Sequence, residues 1–197
     1  MINLLILEVG ILDNKPKAIA DGIAAASMLY DAVRIDDTQL HFIYDLAQQA
    51  PDGLAVEVGV KQGGSIVTWA QARPGRGKVL AVDNRKTQGY KPALIKRLAD
   101  YGVEVELLEV NSWDAPALID EPVAFCFIDA GHAYESIFKD IAAWAPTIKP
   151  GGIIVFHDYG VWKPTVGVKK AVDEWQAIAQ WEDKGLVGAL KAFKRPE

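Results

Sequence analysis

Residues 123–158 read VAFCFIDAGHAYESIFKDIAAWAPTIKPGGIIVFHD and contain two apolar runs separated by an amphipathic segment. The runs VAFCFID (123–129) and GIIVFHD (152–158) are continuous rather than alternating, which is typical of strands buried on both faces of a parallel sheet. Between them, Ile137 and Ile141 recur at the spacing of one helix face. This stretch therefore predicts a strand, a crossover helix and a second strand parallel to the first.

The same alternation continues towards the N-terminus, where three more short apolar runs occur. They are LAVEVGV (54–60), KVLAVD (78–83) and VEVELLE (103–109). Amphipathic segments with helical spacing accompany them, around residues 94–101 and again at 168–175. Strands and helices that alternate in this way predict an α/β fold with a Rossmann-like, doubly wound and mostly parallel sheet.

The end of the chain breaks this pattern, because no helical segment separates WEDKG (181–185) from LVGALKAFKR (186–195). A connection this short cannot make a parallel crossover. We therefore expect the last strand, about residues 186–194, to run antiparallel to a short strand near residues 178–182.

The first 53 residues predict an N-terminal helical extension. Asn14 and Pro16 mark one helix start, and a second lies at Asp37 or Thr38. We interpret residues 1–12, MINLLILEVGIL, as a packed arm or a subunit contact, with a partly ordered terminus as the alternative. The expected organisation is an arm and helical cap (1–53) and a cofactor-binding region (54–197) within one structural domain. The arm leads us to expect a homodimer.

Composition excludes several classes of protein. The chain has 197 residues, 21 Lys and Arg, 26 Asp and Glu, and a formal net charge of −5, which disfavours binding to the nucleic-acid backbone or to anionic lipid. Its one cysteine, Cys126, cannot close an intrachain disulfide, so we expect a cytoplasmic protein. Three histidines and one cysteine are too few for a usual four-ligand zinc site without carboxylates. An apolar stretch long enough to span a membrane is also missing.

A glycine-rich turn follows the first predicted strand. Its sequence is EVGVKQGGS (57–65), with Gly59 and Gly63 in a G-x-x-x-G-G spacing. Glycines let a ligand approach the backbone, but this is not the G-x-G-x-x-G pattern of dinucleotide enzymes. Glu57, two positions before the first glycine, suits a cationic group such as an ammonium. The alternative is a tight strand-to-helix turn without a ligand.

The next two strand ends suit a nucleoside. Asp83 ends the second predicted strand, where a carboxylate can accept both hydroxyls of a ribose. Ser112 and Trp113 follow the third strand and offer polar and aromatic groups for an adenine. For Asp83 the alternative is a solvated or capping carboxylate. For the residues after the third strand the alternative is a turn with a buried tryptophan.

Two histidines and two aspartates end the fourth and fifth strands. They are Asp129 and His132 on one, and His157 and Asp158 on the other. Neighbouring parallel strands lie about 4.8 Å apart, so we expect these side chains to meet. Carboxylates suit Mg²⁺, and a neutral imidazole can take a proton from a hydroxyl. The alternatives are structural roles for His132 and His157, and His41 is interpreted as scaffold.

The run IDAGHAYESIFKDIAAWAPTIKPGGIIVFHDY (128–159) resembles the second half of class I S-adenosylmethionine-dependent methyltransferases. It is most similar to the small-molecule O-methyltransferase branch that includes the macrocin and mycinamicin sugar O-methyltransferases and the cephalosporin-hydroxylase-like proteins. VEVGVKQGGS (56–65) resembles the first motif of that branch, and AVDN (81–84) its second. The resemblance covers about residues 54–192, and the combination of D-x-x-H with K-P-G-G-x-x-x-x-H-D is its specific part.

The resemblance assigns expected roles to individual positions. The methionine part of the cofactor would be held by Glu57, Gly59 and Ser65, with Gly63 in the same loop. Asp83 would bind the ribose, and Ser112 would lie beside the adenine. Asp129 would be a cofactor contact and, with Asp158, a metal ligand, whereas His132 would be the general base. The sugar methyltransferases have Glu-Asp where this chain has His157-Asp158, and catechol-type relatives have Asp-Asn. An imidazole therefore replaces a carboxylate, and we expect His157 to be the third ligand or metal binding to be weaker or lost.

The function expected from this resemblance is transfer of a methyl group from S-adenosylmethionine to a small hydroxylated acceptor, such as a sugar, a catechol or a natural product, assisted by Mg²⁺. One alternative is a nicotinamide-dependent oxidoreductase, which Asp83 fits and the glycine spacing does not. A noncatalytic cofactor-binding protein is a second alternative. Nucleic-acid methylation is disfavoured by the acidic balance and by the lack of an N/D-P-P-Y/F motif.

Overall fold

A seven-stranded sheet forms the centre of the computed structural model, which describes residues 14–27, 36–85, 89–160 and 166–197. The strands are β1 (Leu54–Val58), β2 (Val79–Val82), β3 (Glu106–Leu108), β4 (Val123–Ile128), β5 (Ile148–Phe156), β6 (Glu182–Val187) and β7 (Leu190–Lys194). Their order in the sheet is β3-β2-β1-β4-β5-β7-β6. The first five strands pair in parallel, whereas β7 is antiparallel to both β5 and β6. This confirms the doubly wound, mostly parallel fold with an antiparallel C-terminal strand.

Helices cover both faces of this sheet. In the described residues they are α1 (Lys15–Ser27), α2 (Asp37–Gln49), α3 (Gly64–Gln71), α4 (Tyr90–Asp100), α5 (Tyr134–Trp144) and α6 (Val166–Ala179), with short 3-10 helices at Ser112–Leu118 and Ala145–Thr147. The start of α2 agrees with the sequence and has a clear local cause. The Asp36 carboxylate accepts the Gln39 backbone N–H at 2.9 Å, and the Gln39 side chain accepts the Asp36 N–H at 3.0 Å.

Alternate residues of the buried strands face two different cores. Phe125 and Phe127 of β4 pack with the α1–α4 side, whereas Cys126 and Ile128 pack with the α5–α6 side. All six residues of β4 are buried, and so are all five of β1. The continuous apolar runs therefore reflect strands covered on both faces.

The N-terminal helices share the first of these cores. Ile19 of α1 and Leu40 and Ile43 of α2 are buried in one cluster with Trp69 of α3. At the α1–α3 contact a Cβ on Gly22 would lie 1.9 Å from Thr68 Oγ1. The expected arm, residues 1–12, lies outside the described residues. In the part of the chain that is described, none of the helices has the length and apolar character needed to cross a membrane.

The C-terminal hairpin differs from its predicted register. The expected strand near residues 178–182 is wrong, because α6 continues to Ala179 and Gln180 ends it with φ of 51°. The turn lies at residues 188–189 instead of in the WEDKG segment, so β6 takes up that segment. Trp181 fixes this register, since its ring packs on Trp175 with centroids 5.1 Å apart. The antiparallel direction of the last strand is as predicted.

Candidate functional site

A cavity of about 500 Å³ lies at the carboxyl ends of β1 to β5. It is lined by the loops that follow these strands, together with Gly22 of α1 and Leu40 of α2. Nine of the predicted site residues line it: Gly59, Gly63, Ser65, Asp83, Ser112, Asp129, His132, His157 and Asp158. Glu57 is the predicted residue that the structure leaves outside the lining.

The glycine loop brings its backbone close to the neighbouring strand. Gly59 has φ of +87°, and a Cβ there would lie 2.1 Å from the Asp129 carbonyl oxygen. Gly63 has φ of +84° and caps the start of α3. Both positions therefore require glycine, for backbone conformation and for space. The loop brings the first turn of α3 to the cavity, where backbone N–H groups can face a ligand carboxylate.

Glu57 lies beneath this loop and is fully buried. Its Oε1 accepts the Ser65 hydroxyl at 2.6 Å, and its Oε2 accepts the Trp69 indole N–H at 2.6 Å. Burial raises the pKa of Glu57 to about 8, although both hydrogen bonds act in the opposite direction. Direct contact between Glu57 and a ligand ammonium is therefore absent from this geometry. Ser65, which lines the cavity, stands between the carboxyl group and any ligand.

Three hydrogen-bond donors hold the carboxylate of Asp83, the residue that directly follows β2. Its Oδ2 accepts the Lys61 N–H at 3.0 Å and the Tyr90 hydroxyl at 3.0 Å, and its Oδ1 accepts the Arg85 N–H at 2.9 Å. Burial and the Asp83 charge raise the pKa of Tyr90 above its usual range, which keeps its hydroxyl a donor. The sequence analysis missed Tyr90, since its one signal was a tyrosine directly after Gly89 at a helix start.

Beyond Asp83, the cavity wall contains Ser112, Trp113 and Asp140. The Ser112 hydroxyl donates to Asp140 Oδ1, and the Trp144 indole N–H donates to the Ser112 carbonyl at 3.1 Å. Burial raises the pKa of Asp140 to about 6 against the effect of the Ser112 hydrogen bond. The sequence analysis missed Asp140 as well. The available signal was a carboxylate on the same face of the predicted helix as Ile137.

Two carboxylates and two imidazoles meet at the other end of the cavity, as predicted. His132 Nε2 lies 2.7 Å from Asp158 Oδ2. His157 Nδ1 lies 3.3 Å from Asp129 Oδ1 and 3.2 Å from Asp158 Oδ2, without the direction of a hydrogen bond. Asp158 adopts φ of 57°, a conformation that is uncommon outside glycine.

These contacts shift the ionisation of the cluster. Burial opposes a charge on Asp158, but His132 and His157 outweigh it and hold the pKa of Asp158 well below its usual range. The hydrogen bond with Asp158 raises the pKa of His132. Burial favours neutral His157, yet the carboxylates of Asp129 and Asp158 raise its pKa to about 10. The neighbouring carboxylates therefore favour the protonated form of both imidazoles.

The cluster also contains a set of donors that fits a divalent cation. One ligand atom from each of Asp129, His132 and Asp158 lies within 4.8 Å of the others. Two carboxylate oxygens and an imidazole nitrogen are a ligand set found for several divalent metals. The predicted set was Asp129, Asp158 and His157. In this geometry His132 takes the place of His157, which lies deeper in the protein and is nearly fully buried.

Comparison with known proteins gives a consistent result. Residues 56–159 match the family model described as a methyltransferase domain. An uncharacterized protein of Acanthamoeba polyphaga mimivirus is 28% identical over 151 residues, which are 70% of this chain and 68% of that protein. Among solved structures, an O-methyltransferase from Bacillus cereus in complex with S-adenosylhomocysteine has a TM-score of 0.69 at 19% identity, covering 94% of each chain.

A second solved structure has the same fold. It is the O-methyltransferase TomG from Streptomyces achromogenes, involved in tomaymycin synthesis and solved with S-adenosylmethionine. Its TM-score is 0.65 at 19% identity, covering 91% of this chain and 90% of that one. At such identity the two structures establish the likeness of the fold.

Proposed function

The chain belongs to the methyltransferase-domain family, and from that premise we propose that it transfers a methyl group from S-adenosylmethionine to a hydroxyl oxygen of a small acceptor. The observation that carries this proposal is one continuous cavity with two chemically different ends. One end has Asp83, Ser112 and the glycine loop, which suit a nucleoside joined to an amino acid. The other has the carboxylate and histidine cluster, which suits proton transfer from a hydroxyl.

The cofactor would lie along the glycine loop. Asp83 would accept the ribose hydroxyls, since its carboxylate faces the cavity and is already oriented by the Lys61 N–H and Tyr90. Ser65 would meet the ammonium group of the methionine part, because its proton is committed to Glu57 and its oxygen can then accept. The first turn of α3 would offer N–H groups to the carboxylate.

Methyl transfer needs the acceptor oxygen, the methyl carbon and the sulfur in line, so positioning supplies much of the acceleration. The acceptor O–H proton would pass to His132 Nδ1, the ring nitrogen left free when Nε2 donates to Asp158, as the oxygen forms its bond to the methyl carbon. The carbon–sulfur bond breaks at the same time, and its electron pair stays on sulfur in S-adenosylhomocysteine. The contact with Asp158 stabilises the imidazolium that results.

A divalent cation, where bound, would be held by Asp129 and Asp158 with an imidazole, and would lower the pKa of a hydroxyl that it contacts. His132 Nε2 cannot both ligate a cation and donate its hydrogen bond to Asp158. His157 would then be the remaining imidazole close to both carboxylates. Metal assistance and proton transfer to His132 are therefore separable roles. The effect of EDTA on turnover tests the first, and the His132→Ala variant tests the second.

The test is transfer of a labelled methyl group from S-adenosylmethionine to a panel of sugars, catechols and other hydroxylated compounds, measured with and without EDTA. We expect turnover with at least one hydroxylated class and micromolar binding of S-adenosylhomocysteine, on the order of 1–100 μM. Binding without turnover on any acceptor would favour the noncatalytic alternative. Absence of cofactor binding, with NADH binding instead, would contradict the proposal and favour the oxidoreductase.

The chemical class of the methyl acceptor stays a prediction, and so do the homodimeric state and the cytoplasmic location. The cavity of about 500 Å³ has a size typical of small-molecule sites, which supports a small hydroxylated acceptor over a polymer. Gly22 and Leu40 line the same cavity, so the N-terminal helices would contact the bound molecules.

A further inference from the structure

Helix α4 contacts three successive residues of the glycine loop. The Tyr90 hydroxyl donates to the Lys61 carbonyl at 2.9 Å, and the Arg97 guanidinium donates to the Gln62 carbonyl at 3.1 Å. At the third residue, a Cβ on Gly63 would lie 2.6 Å from a leucine methyl group of α4. The conformation of this loop therefore depends on α4 as well as on the glycines of the loop.

The contact at Lys61 holds the backbone in an uncommon conformation. Lys61 has φ of 48°, in the left-handed region that residues other than glycine rarely adopt. Its N–H donates to Asp83 Oδ2 at 3.0 Å, and its carbonyl accepts the Tyr90 hydroxyl. The peptide groups on both sides of Lys61 are therefore held by hydrogen bonds, which offset the cost of this conformation.

Tyr90 connects this part of the loop to the site expected for the ribose. Its hydroxyl donates to Asp83 Oδ2 at 3.0 Å as well as to the Lys61 carbonyl. A hydroxyl has one hydrogen, so these two oxygens share it. The Tyr90 ring packs against the core, and the Arg85 guanidinium lies 5.2 Å from the ring centre, so the hydroxyl is held in place.

A ligand at Asp83 would change how this hydrogen is shared. Asp83 and Lys61 both line the cavity. Asp83 Oδ2 already accepts hydrogen bonds from Lys61 and Tyr90, which use its two lone pairs. A ribose hydroxyl that binds this oxygen competes with Tyr90, and the Tyr90 hydrogen then shifts towards the Lys61 carbonyl. Binding of the ribose therefore strengthens the contact that holds the glycine loop.

We propose that Tyr90 is a positioning residue that couples the two ends of the cofactor, because its hydroxyl links the ribose site at Asp83 to the glycine loop at Lys61. This inference rests on the proposed function, since it takes S-adenosylmethionine as the ligand of the cavity. It goes further in making the loop that meets the amino-acid end depend on occupation of the ribose site. By linkage, the amino-acid end strengthens binding of the ribose to the same extent.

The experiment is calorimetric titration of the full chain with S-adenosylhomocysteine and 5′-methylthioadenosine, which share the adenosine but differ in the amino-acid part. In Tyr90→Phe both ligands lose one donor to Asp83, whereas S-adenosylhomocysteine also loses the ordered loop. We expect the ratio of the two affinities to fall by about three- to fivefold, the value of one hydrogen bond. The affinity for 5′-methylthioadenosine should change less than about twofold.

A second variant of α4 affects the loop without the ribose site. Arg97→Met removes the donor to the Gln62 carbonyl and leaves the hydrogen bond between Tyr90 and Asp83 in place. It should weaken S-adenosylhomocysteine and leave 5′-methylthioadenosine unchanged. Lys96→Met removes an exposed cation from the neighbouring position and, as the matched control, should retain both affinities. Equal losses for the two ligands in Arg97→Met would contradict a link between this loop and the amino-acid end.

Hydrogen exchange of the wild-type chain gives a measurement that needs no variant. Saturation with 5′-methylthioadenosine, which lacks the amino-acid part, should slow exchange of the backbone amides of residues 59–65. This result decides if Tyr90→Phe does not fold, as judged by its circular dichroism. Unchanged exchange in these residues would overturn the coupling.

The outcomes separate this inference from the function on which it rests. Equal losses for both ligands in Tyr90→Phe would reduce Tyr90 to a residue that orients Asp83, and would overturn the coupling while leaving the proposed function intact. Unchanged affinity for both ligands would overturn it in the same way. Failure of the wild-type chain to bind S-adenosylhomocysteine at all would overturn the proposed function and the inference together.

Discussion

The two ends of the cavity each contain a buried aspartate, and the two behave in opposite ways. Asp158 lies between two imidazoles, which hold its pKa well below the usual range despite burial. Asp140 has a single hydroxyl donor, and burial raises its pKa to about 6. The side chains and their exposure are alike, so the difference comes from the neighbours. Neighbouring imidazoles favour the negative charge of Asp158 at one end. Asp140 at the other end has no such neighbour and acts as a hydrogen-bond acceptor for the Ser112 hydroxyl.

This contrast separates chemistry from recognition within one cavity. The end with His132 and Asp158 can accept a proton and stabilise the charge that results. The end with Asp140 and Ser112 has a carboxyl group with a hydroxyl donor and no cationic partner, which suits binding of a neutral group. Variants that affect one end should therefore leave the other measurably intact.

The largest expected effect is at the charged end. His132→Ala should reduce methyl transfer by about 10²- to 10⁴-fold, because the acceptor proton loses its base. Binding of S-adenosylhomocysteine should change less than about twofold, since in the proposed function the cofactor would lie towards Asp83. Turnover numbers and calorimetric titration give the two values. His41→Ala, an exposed histidine of α2, is the matched control, and full activity of His132→Ala would remove His132 as the base.

Asp158→Asn should alter the pH profile as well as the rate. Asp158 raises the pKa of His132, so its neutralisation lets His132 lose its proton at lower pH. The acidic limb of the profile of kcat should then move to lower pH, with a smaller loss of rate than in His132→Ala. Asp100→Asn serves as the control. An unmoved acidic limb would mean that His132 does not set the profile.

Glu57→Gln tests whether burial alone raises the pKa of a carboxyl group near this cavity. The pKa of Glu57 rises from 4.5 to about 8, so the folded state binds a proton more tightly than the unfolded state. The free energy of unfolding should therefore fall as pH rises from about 5 to about 8, by at most roughly 1.4 kcal/mol per pH unit. Urea denaturation at several pH values should show this slope in wild type.

In Glu57→Gln the slope should be much smaller, because the amide resembles the protonated acid and does not titrate. Its nitrogen can donate to Ser65 while its oxygen accepts from Trp69, so the local geometry is kept. Equal slopes in the two proteins would show that other groups cause the pH dependence.

The smallest expected effect lies between the two ends, at Tyr90. Tyr90→Phe removes one donor from Asp83 and should weaken binding of S-adenosylhomocysteine by about 3- to 10-fold, the value of one hydrogen bond. The value of kcat at saturating cofactor should stay unchanged. Tyr101→Phe, just after the same helix, is the control. A loss of kcat with unchanged affinity would contradict a role in cofactor binding.

Much of the fold and many of the site residues follow from the sequence, for identifiable reasons. Strands buried on both faces leave continuous apolar runs, and the carboxyl ends of parallel strands must meet at one edge. Asp83, Asp129 and Asp158 could therefore be placed before any coordinates. Gly59 and Gly63 follow from the turn that a strand-to-helix connection needs.

The remaining features depend on contacts between distant positions. Glu57 accepts a hydrogen bond from Trp69, one turn into α3 beyond Ser65, and Asp140 accepts one from Ser112, 28 positions earlier. The turn of the last hairpin was misplaced because the WEDKG segment looks like a turn, while its register is set by packing of Trp181 on Trp175. The local sequence pattern does not show which of these distant residues come into contact.

The close approach of Gly59 to Asp129 has a consequence for how this chain can vary. Since a Cβ at Gly59 would lie 2.1 Å from the Asp129 carbonyl, the glycine loop and the end of β4 pack backbone against backbone with no room for a side chain. A change of backbone in either would require a matching change in the other. Substitutions in these two loops should therefore be strongly epistatic. A different acceptor would be accommodated more easily by substitutions near Gly22 and Leu40 than by changes in the backbone where Gly59 meets Asp129.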